Sequence, residues 1–188
     1  MEEFKQYLSQ IVPFSSHELN TFVALFEPIA LKKNSYFASA GEYSTKIAFI
    51  YKGVLRAFYR NTQGNEYNKT FFTEKGIVGA YSSLITGEKS QINIQCLTDC
   101  EILVADFKNL TQLYDKYPKF ERLARIFAEY FFVSKEQREI EIVMLDATER
   151  YKIFQKKHPK LETIIPQYHI ASYLGITPTQ LSRIRAKK

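Results

Sequence analysis

Histidine and cysteine are scarce in this chain: three and two in 188 residues. The histidines are His17, His158 and His169, so none lies between 18 and 157. A metal enzyme of the cupin kind needs imidazole and carboxylate ligands converging in its barrel, and that stretch has no imidazole to offer. Cys96 and Cys100 stand four apart without further Cys or His nearby, too few ligands for zinc or an iron–sulfur cluster. They read as two buried strand cysteines, with a redox-sensing disulfide as the alternative. No run approaches the roughly 20 apolar residues of a membrane span. The start, MEEFKQYLSQ, is acidic and lacks the apolar core of a signal peptide. These features point to a reducing cytoplasm and no membrane partner. There is no Gly-rich phosphate loop and no nucleophile elbow. His158, before a proline, and His169, in a helix near the carboxy terminus, read as surface residues rather than bases. No catalytic residue and no metal site is expected.

What the chain does have is unevenly placed charge. The net formal charge is +6. Residues 1–150 hold 18 Lys and Arg against 19 Asp and Glu; residues 151–188 hold 8 against a single acid, Glu162. The whole positive excess sits in the last fifth. Such asymmetry suits a module that meets a polyanion, or else a solvated basic tail.

Three regions separate by pattern. In residues 1–28, Leu19, Phe22, Val23 and Phe26 recur at helical spacing, with Ser16 as cap and Pro28 as terminator. Residues 29–107 read as short strands between turn residues: 47–51, 54–60, 66–72, 91–97 and 101–107. In 54–60, Val54, Arg56, Phe58 and Arg60 share one face. Many short strands with glycine-containing turns imply a sandwich or barrel. Pro118 then suits the first position of one long helix over 118–145. Its apolar residues, Phe120, Leu123, Phe127, Tyr130, Phe131, Ile140, Val143 and Met144, outnumber what one barrel contact needs, so the helix is expected to pair with its own copy. A short helix over 147–157 follows.

The segment IPQYHIASYLGITPTQLSRIRAKK carries the most information. Pro166 starts a helix whose inner face is Ile170, Ala171 and Leu174. Gly175 supplies a turn, Thr177 a cap and Pro178 the next first position. Leu181 and Ile184 lie on one face. Two short helices across such a turn make a helix-turn-helix. Its second helix exposes Thr179, Gln180, Ser182, Arg183 and Arg185. Gln can pair with adenine and Arg with guanine, and Lys187 and Lys188 add attraction to phosphates.

On IPQYHIASYLGITPTQLSRIR and on IAFIYKGVLRAFYRNTQGNE and GIVGAYSSL, the chain resembles the Crp/Fnr family of bacterial transcription regulators, and its carboxy-terminal wording is similar to the subgroup common in Bacteroidetes. The resemblance implies an α+β chain: an amino-terminal jelly-roll (double-stranded β-helix) barrel of the cyclic-nucleotide-binding type over 1–117, a dimerisation helix over 118–146 and a helix-turn-helix domain over 147–188. It implies a homodimer on a palindromic operator in double-stranded DNA, with RNA polymerase as a further partner. Thr177, Pro178, Thr179, Gln180, Ser182, Arg183, Arg185 and Lys187 become the DNA-contacting residues. Pro178, Thr179 and Gln180 replace the family's commonest reading residues, so a different operator is expected. The family usually continues into a small wing, whereas this sequence stops at Lys188. Its oxygen sensors carry amino-terminal cysteines, and residues 1–28 hold none.

The implied ligand pocket is Gly79, Ala80, Tyr81, Ser82, Lys89, Ser90 and Gln91. Where cyclic-AMP binders have a Glu for the ribose and an Arg-Ser pair for the phosphate, this chain has Ala80 and Ser90-Gln91. Neither can replace the charge, so cyclic AMP is not expected, and another small ligand is left open. The rival reading is an effector-sensing barrel that acts through protein contacts without specific DNA binding.

Overall fold

A computed structural model describes residues 1–186. In chain order the elements are α1 (Glu2–Ile11), α2 (Ser16–Val23), β1 (Glu27–Leu31), β2 (Tyr36–Ala38), β3 (Lys46–Lys52), β4 (Leu55–Arg60), β5 (Glu66–Phe72), β6 (Ile77–Val78), α3 (Tyr81–Thr86), β7 (Asn93–Cys96), β8 (Cys100–Asp106), α4 (Phe107–Thr111), α5 (Pro118–Met144), α6 (Ala147–Lys157), α7 (Leu161–Ile164), α8 (Gln167–Leu174) and α9 (Pro178–Ala186). Among the described residues no helix is long and apolar enough to cross a membrane.

The amino-terminal run is two helices rather than one. The cap of α2 is Ser15, not Ser16: its Oγ accepts from Glu18 N at 3.2 Å, and the Glu18 carboxylate accepts from Ser15 N at 2.7 Å. This reciprocal box starts a helix wherever Ser or Thr precedes Glu by three. Nor does Pro28 end a helix. It lies inside β1, an edge strand paired only with β8, where a missing N–H is tolerated.

The strands form two antiparallel sheets, β1-β8-β3-β6 and β2-β7-β4-β5, as expected of a jelly roll. Between them lie Ala48, Ile50, Leu55, Ala57, Ile94, Ile102 and Val104. Each sheet is covered outside as well, which explains apolar runs instead of simple alternation. Over the first sheet, Phe49 and Leu103 meet Phe4, Leu8, Phe22, Phe120 and Leu123 from α1, α2 and α5. Over the second, Val54, Phe71 and Leu97 join Tyr151, Phe154, Leu161, Ile170, Tyr173, Leu174 and Leu181 in one cluster. The carboxy-terminal helices therefore share a core with the barrel.

The long helix has 27 residues, about 40 Å at 1.5 Å each. Its first turns are buried against the barrel. From Tyr130 onward its apolar side chains are uncovered: Tyr130 is 66% exposed, Ile140 55% and Met144 74%.

Candidate nucleic-acid interface

The helix-turn-helix forms as its residues dictate. α8 stops at Gly175, whose φ of +70° is a left-handed conformation that glycine adopts without strain. Ile176 N reaches back to Ala171 O at 3.0 Å and closes the turn. Thr177 then caps α9 in a second reciprocal box: its Oγ1 accepts from Gln180 N at 3.2 Å, and Gln180 Oε1 accepts from Thr177 N at 2.9 Å. Leu181 is buried and Ile184 half-buried against α8, which leaves Pro178, Thr179, Gln180, Ser182 and Arg183 on the open side.

Two side chains have prior engagements. Gln180 uses its carbonyl in the cap, so bidentate pairing with adenine would compete with the box. Arg185 Nε lies 4.0 Å from Glu162 Oε1 and leans toward the module's own acid. Among the described residues Arg183 has no such tie; with Gln180, Ile184 and Asp146 it lines a groove between α9 and the start of α6. Lys187 falls outside the described residues.

Sequence reasoning missed what holds this module in place. Arg56, the second residue of β4, is 4% exposed. Its guanidinium pairs with Glu66 Oε2 at 2.6 Å, donates to Gln95 Oε1 at 2.7 Å and Asn68 Oδ1 at 3.2 Å, and stacks on Phe58 at 3.8 Å. It also donates to His169 Nδ1 at 3.2 Å, across to α8. Asn68 Nδ2 donates to His169 O at 2.9 Å. Ser172 Oγ accepts from Asn68 N at 3.0 Å and donates to Glu66 O at 2.9 Å. From α5, Arg138 donates to Tyr173 O and lies over its ring. From α6, Arg150 Nε donates to Leu174 O at 3.1 Å. The α8 carbonyls are thus fastened from two further sides.

His169 is accordingly not a surface residue, and His158 is half-buried. His158 packs against Phe71, Phe154 and Tyr173. His169 is 5% exposed. Its Nδ1 faces donors only, so the ring must be neutral. Burial, then the Arg56 charge, bring its pKa down to about 4. Burial also lowers His158. Glu66 is lowered too: burial opposes this, but hydrogen bonds from Arg60 and Arg56 outweigh it. A histidine depressed on folding takes up a proton in the unfolded chain first. Stability is therefore level above about pH 6.5 and falls as pH drops toward 4. Thermal midpoints measured from pH 8 to 4 should show this decline, and His169→Asn should reduce it.

The implied ligand residues lie around the start of α3 and in the 89–91 segment without a guanidinium for a phosphate. Ala80 is buried at the start of α3, beside Gly79, while Tyr81, Ser82 and Gln91 are exposed. Ser90 Oγ is spent on Ile92, donating to its O at 2.8 Å and accepting from its N at 3.2 Å. Lys89 Nζ stands 5.8 Å from the centre of the Tyr43 ring. Ser83 Oγ closes the loop between Ser44 N and Glu88 O. A cyclic nucleotide does not fit this set, which offers no acceptor at position 80 and no guanidinium for the phosphate. Among the described residues, no group of three His, Cys, Asp or Glu could hold a metal ion.

Residues 28–117 match the cyclic nucleotide-binding domain family. Among solved structures, the chain is similar to FixK2 from Bradyrhizobium japonicum at 14% identity, covering 86% of this chain and 83% of that one, with a TM-score of 0.78. It is similar to CLP, a c-di-GMP-responsive global regulator of Xanthomonas campestris, at 15% identity, 92% and 91% coverage and a TM-score of 0.72. A protein from Eubacterium rectale assigned to the Crp/Fnr transcriptional regulators gives 12% identity, 97% and 87% coverage and a TM-score of 0.74. No curated protein matches by sequence. The chain has the Crp/Fnr fold.

Proposed function

We propose that this chain, a cyclic nucleotide-binding-type barrel followed by a helix-turn-helix in the Crp/Fnr fold, is a homodimeric, sequence-specific DNA-binding transcription regulator of the cytoplasm. The observation that carries the reading is the open face of α9. A capped, packed helix presents Thr179, Gln180, Ser182 and Arg183 outward, in the fifth of the chain that holds the entire positive excess. Such a helix enters the major groove amino end first, and Arg183 can contact guanine.

Dimerisation follows from α5. Tyr130, Val133, Ile140 and Met144 fall at alternating three- and four-residue steps around Gln137, the spacing of a two-helix seam. All four apolar members are exposed in the single chain. A two-fold pair would set the recognition helices on half-sites about 34–36 Å apart. The domain division is 1–117, 118–146 and 147–188, with the barrel placing the module through the Arg56 joint.

The test is oligomeric state and DNA affinity together. Sedimentation should give a dimer that binds duplex DNA with a steep loss of affinity as salt rises. Ile140→Asp removes two apolar contacts per dimer and sets two carboxylates in the seam, so dimerisation should weaken about 100-fold or more. A wild-type monomer, or salt-independent binding, would contradict the reading.

The barrel is not a cyclic-AMP receptor on this account. Calorimetry should show no binding at micromolar cyclic AMP, and micromolar affinity would overturn the assignment. Another small ligand remains compatible with the fold.

A further inference from the structure

α6 and α9 lie side by side in the carboxy-terminal module. Asp146, Ala147 and Thr148, at the start of α6, share a groove with Gln180, Arg183 and Ile184 of α9. Further along, Tyr151 and Gln155 of α6 donate to Glu162, and Arg185 of α9 lies 4.0 Å from the same carboxylate. The face of α6 that borders the groove continues from Thr148 at four-residue steps to Lys152 and Lys156, with Lys160 four further on, just before α7. Each step within the helix advances about 6 Å.

This row differs from an ordinary solvated face. On α5, exposed bases carry acids at helical spacing: Arg125 with Glu129 and Lys135 with Glu139. On α6 the residue four after Lys152 is another lysine, an arrangement that weakens a helix by itself. The nearby acids are engaged elsewhere. Glu149, three before Lys152, turns back to accept from Asp146 N at 2.9 Å in the α6 capping box. Glu162, the single acid of residues 151–188, is held by Tyr151, Gln155 and Arg185. Lys157 pairs instead with Glu141 of α5 at 2.7 Å. Lys152, Lys156 and Lys160 are exposed and, among the described residues, in no ion pair.

We propose that Lys152, Lys156 and Lys160 form a second DNA contact, a track for the sugar-phosphate backbone beside the groove of α9 that adds affinity without sequence preference. The inference rests on the proposed regulator function. Ammonium groups on flexible stems neutralise phosphates as point charges, whereas reading a base edge favours a planar, bidentate group that this row lacks. From Thr148 to Lys156 the row spans about 12 Å of a convex helix face, which suits a polyanion rather than a small anion. It supplies the sequence-independent part of binding while Arg183, across the groove, supplies discrimination.

The test is the affinity of the full chain for a random-sequence duplex over a series of salt concentrations. Lys152→Gln with Lys156→Gln removes two charges per protomer, four per dimer, and should reduce the slope of log affinity against log salt by about 3 to 4. Affinity at physiological salt should fall about tenfold or more. Lys152→Arg with Lys156→Arg should keep the wild-type slope. Lys108→Gln with Lys116→Gln is the charge-matched control, because these exposed lysines flank the cluster over the first sheet, on the other side of the barrel from the module. None of the three variants should lower the thermal midpoint. In selection from a random pool, the Lys152→Gln, Lys156→Gln protein should recover the wild-type motif. An unchanged slope, or an equal change in the control, would overturn the proposal and leave reading through α9 intact. A changed motif would overturn the backbone assignment. A wild-type chain without affinity for any duplex would overturn this proposal and the regulator reading together.

Discussion

Arg56→Ala detaches the carboxy-terminal helices from the barrel and lowers stability by about 3 kcal/mol, the lower end of the range for breaking a buried ion pair. The lower end applies because Glu66 keeps a second partner, Arg60 at 2.6 Å. What Arg56 leaves behind is costly: Gln95 Oε1, Asn68 Oδ1 and His169 Nδ1 all lose a donor inside the protein. The loss is directional, because β4 and β5 belong to the barrel core while His169 belongs to α8. Hydrogen exchange should show α6 to α9 losing protection while β3 and β8 keep theirs, and the thermal transition should broaden or split. Arg60→Ala is the contrasting case. Its guanidinium is half exposed, so removing it should cost no more than about 1 kcal/mol. Equal effects from the two substitutions would mean that the joint is an ordinary surface contact.

Arg183→Ala should leave folding unchanged and remove most of the discrimination between operator and random DNA. Its side chain is exposed and lies away from the Leu181 packing face. A bidentate Arg–guanine pair is worth about 1–3 kcal/mol of discrimination, and a two-fold site contains two. The expected loss is therefore about 2–6 kcal/mol per dimer, with the sequence-independent part of binding largely retained. Gln180→Ala combines two effects: it removes a base-edge donor and opens the capping box with Thr177. Thermal stability should fall slightly for that variant and not for Arg183→Ala, which separates capping from reading.

The contrast between Arg183 and Arg56 also shows where sequence reasoning succeeds. The turn at Gly175, the Thr177 cap, the Leu181 face and the long helix all depend on residues within four positions of each other, and all formed as read. The strands at 46–52, 55–60, 66–72, 93–96 and 100–106 were legible for the same reason. β1 and β2 were not, because Pro28 disguises an edge strand and β2 has only three residues. The joint was hidden because its members lie about a hundred residues apart. A signal was nonetheless present. Arg56 shares its strand face with Val54 and Phe58, Asn68 interrupts β5, and His169 sits beside the apolar face of α8. Three polar groups on otherwise packing faces require one another, since an isolated buried charge is not sustained. His169 is buried because a neutral imidazole serves well as an acceptor for a buried guanidinium, while His158 is packed among aromatic rings. Ser15 rather than Ser16 is the cap because only Ser15 stands three before Glu18.

The central claim is that two copies of this chain read one DNA sequence, and selection from a random-sequence duplex pool at physiological salt tests it most directly. Wild-type protein should enrich a palindrome whose half-sites are centred about one helical turn apart, with a guanine in each half whose enrichment disappears for Arg183→Ala. An unenriched pool, a lone half-site, or the same palindrome recovered by Arg183→Ala would contradict it.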